Sequence, residues 1–331
     1  MSNKASSQSQ PLDPYEYLQI VQNPNGTLTC SIEYPKAPPT SDPNLPIPVL
    51  TKDVTINESN KTWVRLFLPR RALLSKHGSN SNHKLPIIVF FHSGGFICGS
   101  AATNVVHDFC VDMVDNIEAI VVSVDYRLAP KHRLPAQYDD AMEALYWIRS
   151  RQDEWVKNYA DLSNCYLMGN SAGANISYHV GLRVAEDVED LKPLKIQGLI
   201  FRQPFFGGTK RTDSELRLEN DPVIPLCTTD LMWELALPIG VLNRDHEYCN
   251  LRVGNGPKKL DEFRKLGWRA LVSWTGEDQL GDRGKELVQL LEEKGIQVVS
   301  DFDEEGCHEV EYNEPLKAKQ LIEMVKGFIS S

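Results

Sequence analysis

Short apolar runs rich in β-branched residues alternate with helical patterns from Thr62 onward, and no other feature of the sequence limits the fold as strongly. In the helical patterns, apolar residues recur three and four positions apart, as they do in helices that cover a sheet. This alternation favours an α/β fold, with a mostly parallel central sheet and helices on both faces. The predicted strands lie at residues 63–68, 87–91, 119–124, 166–168, 198–201, 270–274 and 298–302. The predicted helices lie at residues 136–149, 174–186, 283–293 and 316–328.

The chain has 331 residues, and we expect a single domain, 1–331, because α/β folds often exceed about 200 residues as one unit. Residues 1–50 contain many Pro, Ser, Asn and Asp residues and predict an irregular N-terminal arm that can fold over a pocket. Residues 75–84 predict a polar loop. Residues 207–256 interrupt the alternation with Pro, Gly and helical pieces of their own, and we predict that they form a small helical cap.

Composition excludes several classes of protein. Asp and Glu number 45 against 35 Lys and Arg, and the net charge of -10 offers no basic surface for nucleic acid or anionic lipid. No apolar run reaches the roughly 20 residues that a membrane span needs, and the polar first residues lack the apolar stretch of a signal peptide. The seven cysteines are dispersed and odd in number, so no disulfide framework is expected. We expect a cytoplasmic, monomeric protein.

The motif Gly169-Asn-Ser171-Ala-Gly173 lies between an apolar strand pattern and a helix pattern, which is the context of a nucleophile elbow. A sharp strand-to-helix turn strains the backbone of its central residue, and the flanking glycines allow neighbouring chain to approach closely. Ser171 would then stand at a helix N-terminus, where the helix dipole and the amide of Ala172 can stabilise negative charge. The pentapeptide also occurs at ordinary helix starts, and its strand-turn-helix context favours the nucleophile.

A second glycine turn, His92-Ser93-Gly94-Gly95, follows the strand predicted at 87–91. Adjacent glycines can point successive backbone N–H groups into one space, as a developing oxyanion requires. Gly94 and Gly95, joined by Ala172, are therefore the predicted oxyanion donors. His92 is predicted to bond the loop backbone. A dinucleotide site is disfavoured because the G-x-G-x-x-G pattern is absent there.

A serine nucleophile needs a base, and three histidines follow Ser171 in the chain. His179 falls inside the predicted helix after the turn, and His246 falls in the predicted cap. His308 follows the last predicted strand through a loop, so it can reach the carboxyl edge of the sheet. We predict His308 as the base.

An acid must orient that base, and Glu277, Asp278 and Asp282 all follow the strand predicted at 270–274. Asp278 leaves the strand through the turn after Gly276 and is the predicted acid. Glu277 and Asp282 are given structural roles, since Asp282 can cap the following helix. The serine, the acid and the histidine are then 107 (278 minus 171) and 30 (308 minus 278) residues apart. All three lie after strands, where open α/β sheets bind ligands.

Together these segments resemble the α/β-hydrolases of the hormone-sensitive-lipase-like group, and in particular the plant carboxylesterases. Two further blocks fit that family, Val124-Asp-Tyr-Arg-Leu-Ala-Pro130 and Leu134-Pro-Ala-Gln-Tyr-Asp-Asp-Ala141. The resemblance extends from about Thr62 to the C-terminus. One departure is Ser93, which replaces the first glycine of the family's His-Gly-Gly-Gly, a position whose amide is not among the usual donors. The resemblance implies a triad of Ser171, Asp278 and His308 and an oxyanion hole of Gly94, Gly95 and Ala172.

The implied reaction is hydrolysis of carboxylic esters through a serine acyl-enzyme, without metal or organic cofactor. The histidines show no H-E-x-x-H or comparable metal spacing. The expected partner is a small-molecule ester, with a short acyl chain or from a small metabolite, although the sequence does not identify it. Since the base must be neutral, we expect activity to fall below about pH 6.5, the ordinary imidazole pKa.

Two alternatives come from the same plant family. One is a non-catalytic hormone receptor similar to the gibberellin receptors, and the other is a lyase similar to the hydroxyisoflavanone dehydratases. Receptors of that type lack the triad histidine, whereas His308 is present here.

Overall fold

The computed structural model describes residues 12–74 and 84–331 of the chain, so most of the loop predicted at 75–84 lies outside the described residues. Its centre is an eight-stranded sheet, and a separate two-stranded sheet precedes it along the chain. The strands are β1 (Ile20–Gln22), β2 (Leu28–Cys30), β3 (Val49–Asn57), β4 (Thr62–Pro69), β5 (Leu85–Phe91), β6 (Ile120–Asp125), β7 (Ala160–Asn170), β8 (Ile196–Arg202), β9 (Arg269–Thr275) and β10 (Gln297–Asp303). The order in the large sheet is β10-β9-β8-β7-β5-β6-β4-β3.

Six neighbouring strands of this sheet, from β6 to β10 in the spatial order, are parallel. Strand β4 pairs antiparallel with β6, and β3 pairs antiparallel with β4 to form the edge. All seven predicted strands are present, and the mostly parallel α/β fold is confirmed. Because parallel strands end at the same edge, the loops that follow β5, β7, β8, β9 and β10 meet there.

Most of the helices lie between these strands in the chain, while α1 precedes the first strand and α11 follows the last. They are α1 (Pro14–Tyr17), α2 (Arg71–Leu74), α3 (Asn104–Ile117), α4 (Ala136–Ser150), α5 (Glu154–Tyr159), α6 (Ala172–Glu186), α7 (Asp213–Arg217), α8 (Leu226–Ala236), α9 (Gly256–Lys265), α10 (Gly281–Glu293) and α11 (Pro315–Ser330). Two short 3-10 helices span Val188–Leu191 and Val310–Tyr312. The four predicted helices correspond to α4, α6, α10 and α11. Helices α7 and α8 lie in the segment predicted as a helical cap, and α1, α2, α3, α5 and α9 are additions.

The core has two parts because the sheet is covered on both faces. Along β5, Ile87, Val89 and Phe91 belong to one apolar cluster, while Ile88 and Phe90 belong to the other. This is the period-two alternation of a strand buried on both sides. Residues of α4, α6, α9 and α10 contribute to the first cluster, and residues of α3 and α11 contribute to the second. The parallel strands are therefore held rigidly, and their carboxyl ends can carry a site.

The N-terminal arm is more regular than expected. Helix α1 is followed by the antiparallel pair β1 and β2, and the large sheet already begins at Val49 rather than at Thr62. The Tyr17 hydroxyl donates to the carbonyl oxygens of Pro222 and Val223 at 2.8 and 3.0 Å. The arm thereby contacts the segment 207–256, which contains α7 and α8.

Candidate active site

Ser171 occupies the sharp turn between β7 and α6, with φ 52° and ψ -118°. Its positive φ is a strained conformation for a residue with a side chain. The two glycines of the motif make the turn possible. A Cβ on Gly173 would lie 1.9 Å from the Phe91 carbonyl oxygen, and one on Gly169 would lie 2.1 Å from the Gly173 carbonyl carbon. The predicted strand-turn-helix geometry is therefore present at Ser171.

The structure brings the three predicted side chains into one hydrogen-bonded chain. The His308 Nε2 lies 3.0 Å from the Ser171 Oγ, and its Nδ1 lies 2.8 Å from Asp278 Oδ2. Since Nδ1 donates to the carboxylate, Nε2 is left to accept the serine proton. Asp278 is fixed in turn, because its Oδ1 accepts a hydrogen bond of 2.9 Å from the Leu280 amide.

These groups come from three parallel strands of the sheet. Ser171 follows β7, Asp278 lies in the turn after β9, and His308 lies in the loop after β10. All three are buried: Ser171 is 5% exposed, His308 is 4% exposed and Asp278 is 0% exposed. Burial shields the hydrogen bonds from water and strengthens their electrostatic part.

Two opposing effects set the pKa of His308. Burial alone lowers it, but the charge of Asp278 and its hydrogen bond, with Glu309 and Glu311 nearby, outweigh burial and raise the pKa to about 9. The imidazolium that forms during proton transfer is therefore stabilised by its surroundings.

The predicted oxyanion donors lie in the turn after β5 and at the start of α6. Gly94 and Gly95 adopt positive φ angles of 107° and 59°, and Ala172 is the first residue of α6. Over the parts of the chain that the structure describes, the backbone N–H groups of these three residues donate no hydrogen bond within the protein. They are available for an external oxygen. The Gly94 carbonyl accepts from the amides of Ile97 and Cys98 at 3.0 and 3.1 Å, which holds the turn closed.

His92 has the structural role predicted for it. Its Nδ1 donates to the Ser93 carbonyl at 2.7 Å, and its ring stacks on Tyr126 with centroids 4.2 Å apart. The Tyr126 hydroxyl donates to the His92 carbonyl at 2.8 Å. These bonds fix the backbone at Ser93, directly before the glycine turn.

The histidines and carboxylates that were not chosen as base or acid make other contacts. His179 is enclosed by aromatic rings, including Tyr138 at 4.7 Å, and burial lowers its pKa to about 3. The His246 ring accepts a hydrogen bond from the Tyr248 amide at 3.2 Å. Glu277 pairs with Arg217 at 3.5 Å, and Asp282 accepts from the Ser214 amide at 2.8 Å. None of these side chains joins the serine-histidine-aspartate chain.

Several buried polar residues next to the site were missed by sequence reasoning. Arg202 is the last residue of the apolar strand β8, and Gln203 directly follows it. Both are polar and yet buried, with 4% and 1% of their surface exposed. Arg202 pairs with Glu311 at 2.9 Å, three residues after His308. The charged Arg202 at the end of a buried strand indicates that a buried partner must exist. The sequence does not show which residue it is, because Glu311 lies more than a hundred residues away in the chain.

The described residues offer neither a metal site nor a membrane-spanning helix. Within residues 12–74 and 84–331, no group of three or more His, Cys, Asp and Glu side chains could hold a metal ion. No helix in those same ranges combines the length and the apolar character that crossing a bilayer requires.

Known proteins similar to this chain identify its family. Residues 88–311 match a protein family that has the α/β-hydrolase fold. Carboxylesterase 20 of Arabidopsis thaliana is 47% identical over 320 residues, which cover 96% of this chain and 97% of that protein. The 3-O-acetylpapaveroxine carboxylesterase CXE2 of Papaver somniferum is 42% identical over 325 residues, covering 96% and 99% of the two chains.

A solved esterase structure from Pyrobaculum calidifontis has the same fold. It superposes with a TM-score of 0.69 at 22% identity and covers 87% of this chain and 86% of that one. None of these three proteins bears the name of a receptor or a lyase. The chain belongs to the plant carboxylesterases of the α/β-hydrolase family, and it is a carboxylic ester hydrolase.

Proposed function

We propose that this carboxylesterase hydrolyses short-chain esters of small molecules through an acyl-enzyme on Ser171. The observation that carries the proposal is the hydrogen-bonded chain from Ser171 through His308 to Asp278, with distances of 3.0 and 2.8 Å. A base within this reach of a serine hydroxyl, and itself oriented by a carboxylate, is the arrangement that activates a serine nucleophile.

The first half-reaction forms the acyl-enzyme. His308 Nε2 takes the proton of the Ser171 hydroxyl while the oxygen attacks the ester carbonyl carbon. The negative charge that develops on the carbonyl oxygen is held by the N–H groups of Gly94, Gly95 and Ala172. The imidazolium then gives its proton to the departing alcohol as the bond between the carbonyl carbon and the alcohol oxygen breaks.

The second half-reaction releases the acid. His308 takes a proton from a water molecule, whose oxygen attacks the acyl carbon and forms a second oxyanion in the same place. The proton returns to Ser171 as the bond between its oxygen and the acyl carbon breaks. Asp278 holds the imidazole in orientation and stabilises its cation throughout. Every proton and leaving group is accounted for by these residues and water, so the proposed reaction uses no metal or organic cofactor.

The preference for a short acyl group follows from how the space beside the nucleophile is filled. Met232 of α8 packs against the glycine turn, since a Cβ on Gly95 would lie 2.3 Å from its Sδ. The rings of Phe205 and Trp233 stack with centroids 4.6 Å apart, and both residues are nearly fully buried. We propose that residues 207–256 act as the cap that limits the acyl pocket. The name of the Papaver relative specifies an acetyl ester, which supports a small acyl group here.

The test is hydrolysis of p-nitrophenyl esters by the wild type and by Ser171→Ala. The proposal predicts turnover of the acetate and butyrate, much less of the palmitate, and loss of nearly all turnover in Ser171→Ala. Because the residual rate of a serine enzyme without its nucleophile is a small fraction of the wild-type rate, the contrast is large. Equal turnover in the two proteins would refute the serine mechanism, and a preference for palmitate would refute the substrate class.

We also propose that the protein acts in the cytoplasm as a monomer. All seven cysteines are free thiols, which is the state that a reducing compartment maintains. Cell fractionation and size-exclusion chromatography with light scattering test these two points separately.

A further inference from the structure

We infer that Gln203 is a positioning residue. It holds the loop that carries His308 at the position from which the imidazole reaches Ser171. This inference rests on the serine mechanism proposed above and adds to it a residue outside the triad and the oxyanion hole. Gln203 directly follows β8, is 1% exposed and adopts a positive φ of 44°. A non-glycine residue keeps such a backbone conformation only when the surrounding structure enforces it.

The side-chain amide of Gln203 brackets His308 from both sides along the chain. Its Nε2 donates to the Cys307 carbonyl at 2.9 Å, and its Oε1 accepts from the Glu309 amide at 2.7 Å. These two backbone groups immediately precede and follow His308. One planar side chain therefore fixes the peptide units that carry the imidazole.

The same residue is tied to the strands of the acid and the nucleophile. Gln203 Nε2 also donates to Thr275 Oγ1 at 2.8 Å, three residues before Asp278, and its backbone N–H donates to the Ser273 carbonyl at 2.8 Å. The carbonyl of the preceding residue, Arg202, accepts from the Ser171 amide at 2.9 Å. The end of β8 thus connects the segments that carry all three members of the serine-histidine-aspartate chain.

Only a side chain that donates and accepts at the same time can make these contacts. In the described part of the chain, the Glu309 N–H has no other hydrogen-bond acceptor, so losing Oε1 leaves a partly buried donor unsatisfied. Asparagine has the same amide but is one methylene shorter, so it cannot reach both groups from this backbone position. Misplacing a reacting group by about 1 Å can cost about 10²-fold in rate.

The first variant is Gln203→Met, which keeps the length of the side chain and removes the amide. We expect kcat to fall about 10²-fold with KM little changed, because the base is displaced while the substrate pocket is intact. We also expect the acid limb of kcat/KM to move to lower pH, since a loosened contact with Asp278 no longer offsets the burial of His308.

The matched control is Gln137→Met. Gln137 is also a buried glutamine, 0% exposed, whose Nε2 donates to a backbone carbonyl, that of His132, at 2.6 Å. It lies in α4, and within residues 12–74 and 84–331 its side chain has no hydrogen bond to Ser171, Asp278 or His308. The same chemical change should lower stability there and leave kcat and the pH profile near those of the wild type.

The second variant, Gln203→Glu, tests the inference without removing the side chain. A protonated carboxyl can donate to the Cys307 carbonyl and accept from the Glu309 amide, as the glutamine does, whereas a carboxylate can only accept. Because His308 is neutral only above its raised pKa, where a carboxyl with an ordinary pKa of about 4.3 is ionised, kcat should fall at every pH at which the wild type is active, although the side chain keeps the length and shape of glutamine. Urea unfolding at each pH shows whether the protein is still folded where activity is lost.

The outcomes separate the inference from the proposed function. If Ser171→Ala is inactive but Gln203→Met matches Gln137→Met in kcat, the positioning role is wrong and the serine mechanism stands. If Gln203→Met does not fold, a folded Gln203→Glu with the kcat of the wild type overturns the inference equally. If Ser171→Ala is active in the same assay, the proposed function itself has failed.

Discussion

Glu311 Oε2 accepts hydrogen bonds from Nε and Nη2 of Arg202 at 3.1 and 2.9 Å, in an ion pair whose side chains are 0% and 5% exposed. The other oxygen, Oε1, accepts from the side chain of Asn170, the residue before Ser171, at 3.0 Å. Arg202 Nη1 donates to Ser273 Oγ of β9 at 2.9 Å. The pair therefore joins β7, β8 and β9 to the segment that follows the base.

Glu311→Gln should strongly destabilise the protein. The substitution leaves the buried charge of Arg202 without its counter-charge, and breaking one side of a buried pair costs about 3–5 kcal/mol. Urea denaturation followed by circular dichroism measures the free energy of unfolding. Glu186→Gln is the control, because it neutralises one half of the more exposed Lys259–Glu186 pair, of 2.9 Å, and should change stability by a small fraction of that amount. If the two variants lost the same free energy of unfolding, the buried pair would contribute no more to stability than the exposed one.

Asp278→Asn should lower kcat on the order of 10⁴-fold while leaving the protein folded. The amide can still reach His308 but presents no charge, so the imidazole loses both its preferred tautomer and the stabilisation of its cation. The measurement is kcat for p-nitrophenyl acetate, with a melting curve to show that the fold persists. Glu277→Gln, at the neighbouring exposed carboxylate, should behave as the wild type. If Glu277→Gln were the damaging change, the acid would be misassigned.

The pH dependence should differ from that expected for an ordinary imidazole. The pKa of His308 is raised above 6.5, so the base stays protonated, and unable to accept the serine proton, to a higher pH. Activity should consequently decline with falling pH from a midpoint above 6.5, rather than at that value as the sequence alone leads one to expect. The test is kcat/KM against pH, which reports groups of the free enzyme, read at the isosbestic wavelength of p-nitrophenol. A midpoint at or below pH 6.5 would contradict the raised pKa.

The strands and the three predicted side chains could be derived from the sequence for a physical reason. Each lies in a local pattern, and the rule that parallel strands end at one edge brings Ser171, Asp278 and His308 together. Helix α3 could also have been predicted from the sequence, because its buried residues follow the spacing of an amphipathic helix: Val106, Phe109, Cys110, Met113, Val114 and Ile117.

The supporting polar contacts could not be derived in the same way. Gln203 and its partner Glu309 are 106 residues apart, and Arg202 and Glu311 are 109 residues apart. Neither pair leaves a repeating pattern in the chain, because a single buried contact has no periodicity. The short helix α1 and the strands β1 and β2 are too brief, at four and three residues, for periodicity to show them.

The two glycines of the oxyanion turn should differ in their tolerance of a side chain. A Cβ on Gly94 would lie 2.2 Å from the Cys98 carbonyl oxygen, which is backbone, whereas a Cβ on Gly95 would meet the flexible side chain of Met232. Gly94→Ala should lower kcat by about 10²–10³-fold, as does loss of an oxyanion donor. Gly95→Ala should be milder, and Gly95→Ala with Met232→Ala should recover part of its loss. Rates of p-nitrophenyl acetate hydrolysis decide this order. Recovery by Met232→Ala in the Gly94→Ala background instead would show that the contacts are assigned to the wrong glycine.

Gly173→Ala and Gly327→Ala should have opposite effects on stability, although both glycines lie in helices. At Gly173 the added methyl would lie 1.9 Å from the Phe91 carbonyl oxygen and 2.7 Å from that of His92, so either β5 or the start of α6 must move. At Gly327 in α11 an added Cβ meets nothing within 4 Å. Alanine there should stabilise the helix by about 0.5–1 kcal/mol, because it restricts the unfolded chain. Urea unfolding of the two variants, with active-site labelling by an organophosphate, measures both stability and the reactivity of Ser171. A Gly173→Ala protein as stable and as readily labelled as the wild type would mean that the elbow does not need its close approach to β5.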